Sequence, residues 1–277
     1  MKEKTLELNT IYNMDCLDGM KGLPKGSINC VLTSPPYNTG HRVEYWSNKK
    51  VGDKRIYKRE KRYDQYLDTK TDEEYISWTI NIFNCFSTVL AKNGCVLYNI
   101  SYGNESPNLL WQLIAEIINN TDFCVADCIV WKKKNAVPNS TSKNKLTRIC
   151  EFVFVFCRKT ELLTFDTNKQ VKTISNNGQK FYEVFYNYVE AKNNDEVCPL
   201  NKATYSSELC NNLLRIYVKK GNVVLDPFMG SGTTAVSCIM NDMDYVGFEL
   251  STAQCEYANK RIEKVQAKAE QMCLTMP

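Results

Sequence analysis

Histidine is nearly missing from this chain: His41 is the only one in 277 residues. Lying in a run of lysines and arginines, it reads as a contact to phosphate or solvent rather than as a catalytic imidazole. The 13 cysteines include no Cys-x-x-Cys pair, and they are scattered through a chain otherwise rich in ordinary core residues. That spread argues against a disulfide scaffold and against zinc, so reduced thiols and no metal are expected, with Cys124 and Cys128 packing in a buried strand. No apolar run reaches about 18 residues and no charged-then-apolar leader follows Met1, so neither a membrane span nor secretion is expected. The compartment expected is the cytoplasm, in association with the nucleoid, or the host cytoplasm for a chain of viral origin. Repeats are absent, and so is the Gly-x-Ser-x-Gly turn of serine hydrolases.

What is present is organised around Asn222-Val-Val-Leu-Asp-Pro-Phe-Met-Gly-Ser-Gly-Thr-Thr234. Val223, Val224 and Leu225 form a short β-branched apolar run, as in a strand buried on both faces, and the run stops at Asp226-Pro227. Gly230 and Gly232 permit backbone angles and close ligand approach that a Cβ would forbid, and Thr233-Thr234 is placed to cap a helix over Ala235 to Met240. A second strand, Asp244 to Leu250, carries Glu249, 23 residues beyond Asp226. Dinucleotide folds place the carboxylate that holds a ribose diol at about this distance. The P-loop lysine is missing, and the spacing is not Gly-x-Gly-x-x-Gly. An acid at the mouth of a loop without basic residues suits a cationic or neutral ligand better than a pyrophosphate, and S-adenosyl-L-methionine is such a ligand.

Charge is unevenly placed. The net charge is +4, yet residues 41–63 and 131–148 together hold 15 of the 35 basic residues and 3 of the 31 acidic ones. Arg42, Lys49, Lys50 and Arg55 in the first segment, and Lys132, Lys133, Lys134, Lys143 and Lys145 in the second, are candidate contacts to a polyphosphate partner. Tyr45, Trp46, Tyr57, Tyr63 and Trp131 offer stacking surfaces among them.

Along the chain, Thr10 to Asp15 is a short apolar stretch closing on a carboxylate and continued by a helical turn at Leu17 and Met20, and strands are expected at Ile28 to Thr33, Cys95 to Ile100, Phe123 to Lys132 and Glu151 to Phe156. Helices are expected from the Thr71-Asp-Glu-Glu74 capping box to about Leu90, from Pro107 to about Asn119, from Ser206 or Ser207 to Ile216, and from Ser251 to about Ala269. The pattern is α/β: a Rossmann-like, mixed but mostly parallel sheet with helices on both faces. Residues 1–158 would form a catalytic half with a basic loop at 41–63, and 198–277 a cofactor-binding half. Residues 159–197, rich in Asn, Lys and Tyr, would be a small inserted recognition lobe. The strand at Glu151 to Phe156 is expected to pair antiparallel with its predecessor at a sheet edge.

The strand ending at Thr33 runs into Ser34-Pro35-Pro36-Tyr37-Asn38, a stiff extended turn at the end where open α/β sheets put chemistry. An exocyclic amine on a base is a poor nucleophile, because its lone pair is delocalised into the ring. Acceptors holding both amine hydrogens would counter that, and Ser34 Oγ and the Pro35 carbonyl suit the task. Tyr37 could stack on the base and Asn38 fix the turn. Reaching such an atom in a duplex requires extruding the nucleotide.

Thr33-Ser-Pro-Pro-Tyr-Asn together with Val224-Leu-Asp-Pro-Phe-Met-Gly-Ser-Gly-Thr-Thr resembles the β-class amino-group DNA methyltransferases of restriction-modification type, N4-cytosine or N6-adenine specific. Asp15-Cys16, Trp131-Lys-Lys-Lys-Asn with Glu151-Phe-Val-Phe-Val-Phe, and Asn201-Lys-Ala-Thr-Tyr-Ser-Ser-Glu-Leu resemble further family segments. The resemblance runs from about Ile11 to Ile262. It implies that Asp226, Phe228, Gly230, Ser231, Gly232 and Thr233 line the methionine side of S-adenosyl-L-methionine. Glu249 would take the ribose hydroxyls, Asp15 and Cys16 would lie at the adenine, and Ser34, Pro35, Pro36 and Tyr37 would hold the target base. Lys202-Ala-Thr-Tyr departs from the family pattern and puts Thr204 as a cofactor contact in doubt. Serine before Pro-Pro is associated with cytosine N4; Asn38 after the tyrosine is also common among adenine enzymes, so N6 of adenine stays the alternative. Carbon-5 methylation is disfavoured, because no proline precedes a cysteine. Methylation of RNA or of a protein amide, and an inactive DNA-binding subunit, are the remaining alternatives. Double-stranded DNA is the partner implied; a homodimer or a cognate restriction enzyme is left open.

Overall fold

A computed structural model of the chain describes residues 6–38, 43–51, 54–60, 70–103, 106–140, 143–195 and 205–274. In order, these form β1 (Thr10–Tyr12), α1 (Cys16–Lys21), β2 (Ile28–Thr33), β3 (Val43–Val51), β4 (Lys54–Glu60), α2 (Asp72–Val89), β5 (Leu90–Ile100), α3 (Leu109–Asn120) and β6 (Phe123–Lys133). There follow β7 (Cys150–Arg158), a 3-10 turn (Lys159–Glu161), β8 (Val171–Ile174), β9 (Lys180–Tyr182), β10 (Tyr188–Ala191), α4 (Ser207–Tyr217), β11 (Val223–Asp226), α5 (Thr233–Met240), β12 (Asp244–Phe248) and α6 (Thr252–Leu274). Eight strands make one sheet in the order β1-β12-β11-β2-β5-β7-β6-β10. Every pair in it is parallel except the two that β7 makes, with β5 and with β6. One strand in eight is therefore reversed, and it lies inside the sheet. That corrects the expectation of a pair at the edge, since β10 caps β6.

Strand residues alternate between two cores, as a pleated chain buried on both faces must. Cys30, Leu32, Leu97, Val153 and Val224 point to the layer of α4, α5 and α6. Val31, Val96, Tyr98, Phe156, Leu225 and Phe248 point to that of α1, α2 and α3. Helix α2 begins with the expected capping box, Thr71 and Glu74 each bonding the other's backbone N–H. Its Phe83 meets Phe86, Tyr98, Phe123 and Phe156 edge-on at 5.0 to 5.6 Å. Such contacts favour the quadrupoles of the rings as well as burying them.

Helix α1 presses on β12 through Gly19, where an added Cβ would lie 2.2 Å from the Phe248 ring. Alanine for glycine in a helix normally stabilises by about 0.5–1 kcal/mol, but forcing a methyl into a packed aromatic costs about 1–3 kcal/mol. Gly19→Ala should therefore lower the melting temperature by a few degrees in a thermal scan, the reverse of the propensity expectation.

Two stretches differ from the sequence reading. Residues 43–51 and 54–60 pair as antiparallel strands, with Val43 opposite Glu60 and Val51 opposite Lys54, where a loop was expected. The signal was present, because two turn residues, Gly52-Asp53, separate two β-prone runs. Residues 159–197 are not one insertion: β8 and β9 form a separate hairpin, while β10 joins the main sheet. Among the described residues no helix is long and apolar enough to cross a membrane.

Candidate functional site

Crossovers leave β11 and β2 in opposite directions, through α5 to β12 on one side and through α2 to β5 on the other. The crevice at their carboxyl ends is thus the topological switch point, where open α/β sheets bind ligands. Val224 pairs with Cys30 and Leu225 with Val31, so the glycine turn after Asp226 and the Ser-Pro-Pro-Tyr turn after Thr33 leave neighbouring strands. Thr33 Oγ1 donates to Asp226 Oδ1 at 2.7 Å and ties the two together.

Asp226 is 1% exposed. Its Oδ1 also accepts from the Phe228 N–H at 3.0 Å, and its Oδ2 accepts from Thr234 Oγ1 at 2.6 Å and Tyr205 Oη at 3.2 Å. Burial raises the carboxyl above its usual value, while these donors pull it back. With four donors on two oxygens, Asp226 is a post beneath the turn. Gly230 and Gly232 have φ of 54° and 80°, in the left-handed region that favours glycine. Thr233 and Thr234 do not cap α5. Its N-cap is Gly232, Thr234 bonds Asp226, and Thr233 Oγ1 accepts from Arg261 Nη1 at 2.9 Å. Arg261 also donates to the Ser231 carbonyl and pairs with Asp195 at 2.8 Å.

Glu249 follows β12. Its Oε2 accepts from the Gly230 N–H and its Oε1 from the Ser251 N–H, both at 2.8 Å. Neighbouring β1 is followed by Asp15, which caps α1 by accepting from the Leu17 N–H at 2.8 Å. Cys16, next to it, is 4% exposed, and burial, with Asp15 alongside, pushes its thiol well up. Among the described residues, two carboxylates and a glycine turn whose neighbouring arginine is paired form a ligand set without free positive charge. That chemistry fits a sulfonium and a ribose diol, so the residues present accommodate S-adenosyl-L-methionine, with Glu249, Asp15, Phe228, Gly230 and Ser231 as those that would hold it.

Helix α2 braces both turns. Tyr75 Oη donates to the Pro36 carbonyl at 2.7 Å, and Trp78 lies 5.5 Å from the Phe228 ring. Pro35 is buried and Pro36 half-buried. Asn38, at φ 50°, bonds the Lys70 backbone with both amide atoms, closing the base of the segment that contains β3 and β4.

Ser34 and Tyr37 belong to a polar cluster on three further strands. Ser34 Oγ donates to Tyr37 Oη at 3.1 Å, and Tyr37 Oη donates to Glu151 Oε2 at 3.0 Å. From β5, Asn99 Nδ2 donates to Tyr37 Oη at 2.9 Å and to Glu151 Oε2 at 3.2 Å, and more distantly to Ser34 Oγ at 3.4 Å. Asn99 Oδ1 is buried with no partner among the described residues, a state that costs about 1–3 kcal/mol. Lys133 pairs with Glu151 Oε1 and lies over the Trp131 ring at 5.2 Å. Asn99 stands in no motif and Glu151 only opens the segment Glu151-Phe-Val-Phe-Val-Phe, so neither is among the candidate site residues.

The lysine run is locally neutralised: Lys132 pairs with Glu190, Lys133 with Glu151 and Lys134 with Glu208. The basic count over 131–148 therefore overstates the charge offered there to a partner, whereas Lys143 and Lys145 are exposed. Lys49, Lys50 and Arg55 fall on β3 and β4. Arg42, His41 and Thr204 lie outside the described residues.

A family model described as DNA methylase matches residues 28–260. The Type II methyltransferase M.Cfr9I of Citrobacter freundii is 27% identical over 297 residues, covering 95% of this chain and 91% of the relative. M.HinfI of Haemophilus influenzae, also a Type II methyltransferase, is 26% identical over 276 residues, covering 96% and 72%. Among solved structures, a PvuII DNA methyltransferase described as cytosine-N4-specific superposes with a TM-score of 0.67 at 18% identity, covering 95% of this chain and 92% of that one. The M1.HpyAVI–SAM complex superposes with a TM-score of 0.56 at 19% identity, covering 91% and 98%.

Proposed function

The chain belongs to the N4/N6 DNA methylase family, and from that premise we propose that it methylates the exocyclic amine of a base extruded from double-stranded DNA, N4 of cytosine by preference. The observation that carries this reading is the 2.7 Å bond between Thr33 and Asp226. It locks the Ser-Pro-Pro-Tyr turn beside the glycine turn at the switch point, so a base held by one faces a cofactor held by the other.

S-adenosyl-L-methionine supplies an electrophilic methyl group on a sulfonium. Ser34 Oγ and the Pro35 carbonyl accept the two amine hydrogens, disfavour the planar amine and aim its lone pair. The Tyr37 ring stacks on the base, while Tyr75 and Asn38 keep the turn from yielding. As the new N–C bond forms, the bond from the methyl to sulfur would break and leave a neutral thioether, and the proton given up by the amine would pass to solvent. Serine at position 34 favours cytosine. Asn38 does not speak for adenine, because its amide is occupied with the Lys70 backbone. The names of the relatives, both Type II methyltransferases, support a place in restriction-modification. Residues 1–158 and 198–277 then act as the two halves of one domain, and the hairpin of β8 and β9 within 159–197 as part of the recognition surface.

Incubation with methyl-labelled S-adenosyl-L-methionine and mixed-sequence DNA, followed by nucleoside analysis, tests the reading. Label in N4-methylcytosine is expected. Label in N6-methyladenine would move the assignment to the alternative base, and label in neither, or in RNA alone, would overturn it. The exposed Lys143 and Lys145 meet phosphates in this reading. Changing either to alanine should weaken DNA binding across all sequences and flatten the plot of log affinity against log salt by about one unit, measured by titration at several salt concentrations.

A further inference from the structure

Resting on the proposed amine methylation, we infer that Glu151 is a positioning residue: it fixes the direction of the hydroxyl chain from Ser34 through Tyr37, so that Ser34 meets the target base as an acceptor. The argument is a count of protons. Glu151, paired with Lys133, is a carboxylate and can only accept. Tyr37 Oη, 3.0 Å away, must therefore spend its single proton on Glu151. Its oxygen is then an acceptor, and it receives Asn99 Nδ2 at 2.9 Å and Ser34 Oγ at 3.1 Å. The proton of Ser34 is committed in turn, and what the half-buried Ser34 oxygen has left to present is lone-pair density.

A serine alone does not discriminate, because a hydroxyl can rotate to donate or to accept. An amino group, which donates, and a ring carbonyl, which accepts, would be bound about equally well. With the chain polarised toward Glu151, Ser34 offers an acceptor to an amine and repels a carbonyl. Selection of an amino-bearing base is thereby set by a side chain that need not touch the base. The orientation of Asn99 agrees: its carbonyl is buried without a partner, while its amide nitrogen is turned to the Tyr37 oxygen and to Glu151. Asn99, Lys133 and Glu151 come from β5, β6 and β7 and are held laterally by the sheet.

Glu151→Gln is the test, since glutamine keeps the size but can donate as well as accept and so frees Tyr37 to turn. It should lower kcat roughly 10- to 100-fold while the KM for S-adenosyl-L-methionine stays within about twofold. In a Tyr37→Phe background, where the link is already cut, the same change should cost less than about twofold more, because the two act in series. An unchanged kcat, or losses that multiply, would overturn the inference. Should Glu151→Gln fail to fold, Tyr37→Phe alone, which leaves Glu151 its Lys133 and Asn99 contacts, must show the loss, and full activity there overturns it. Absence of methyl transfer in the unaltered protein would instead refute the function on which this rests, so the two failures are distinct.

Discussion

Ser34→Ala should cut methyl transfer into DNA by about 100-fold or more while leaving affinity for S-adenosyl-L-methionine within about twofold, because it removes an acceptor offered to the reacting amine and not to the cofactor. The split follows from the geometry. Ser34 bonds Tyr37 and Asn99, whereas the glycine turn is held by Asp226, Glu249 and Arg261. Alanine leaves both prolines and Tyr75 in place, so the turn should keep its course. Single-turnover label transfer and equilibrium binding of the cofactor, on one preparation, check both halves. A fall in binding that matches the fall in rate would show that Ser34 holds the pocket together rather than the substrate.

Asp226→Ala should have the largest effect on stability, a loss of about 3 kcal/mol or more, since each buried donor left unsatisfied costs about 1–3 kcal/mol. It strands three hydroxyls and one backbone N–H that now converge on one carboxylate. These donors come from β2, the glycine turn, α5 and the segment before α4, so their loss loosens the switch point from every side. Asp226→Asn should lose much less, because asparagine keeps one acceptor oxygen and the hydroxyls of Thr234 and Tyr205 can turn to accept from its amide. A pH series adds a check of sign. Burial raises the folded-state value of this carboxyl above its unfolded one, so the folded protein takes up the proton first. The contribution is greatest below the unfolded value and is lost as pH rises through the folded value. Against the Asn variant, the parent should therefore lose stability as pH rises across that interval. Chemical denaturation at several pH values measures all three proteins.

The parts of this site that could be read in the sequence are those that lie within one strand and the turn after it. Asp226 to Thr234, Thr33 to Asn38 and Glu249 are each continuous, and the residue types there announce their geometry: glycines for left-handed backbone, paired prolines for an extended turn, an acid at a strand end. The capping box of α2 was legible for the same reason. Glu151 was not, because at the start of Phe-Val-Phe-Val-Phe it looks like the polar flank of a buried strand. Its meaning comes from register: Trp131 lies opposite Glu151, and Asn99 opposite Val153. The neutralisation of Lys132 and Lys134 was hidden too, since their partners Glu190 and Glu208 are 58 and 74 residues away. The pairing of 43–51 with 54–60 is carried by two β-prone runs, but the density of lysine and arginine in them reads first as a surface for a partner.

The lone strand that runs against the other seven has an effect on how this scaffold tolerates change. Because β7 enters the sheet where β6 leaves it, the connection from Lys134 to Ile149 begins and ends on the side of the crevice. Residues can be added to it or removed from it without re-threading a crossover, so its length is free to drift while Glu151, at the far end of that same connection, stays anchored to the reacting centre.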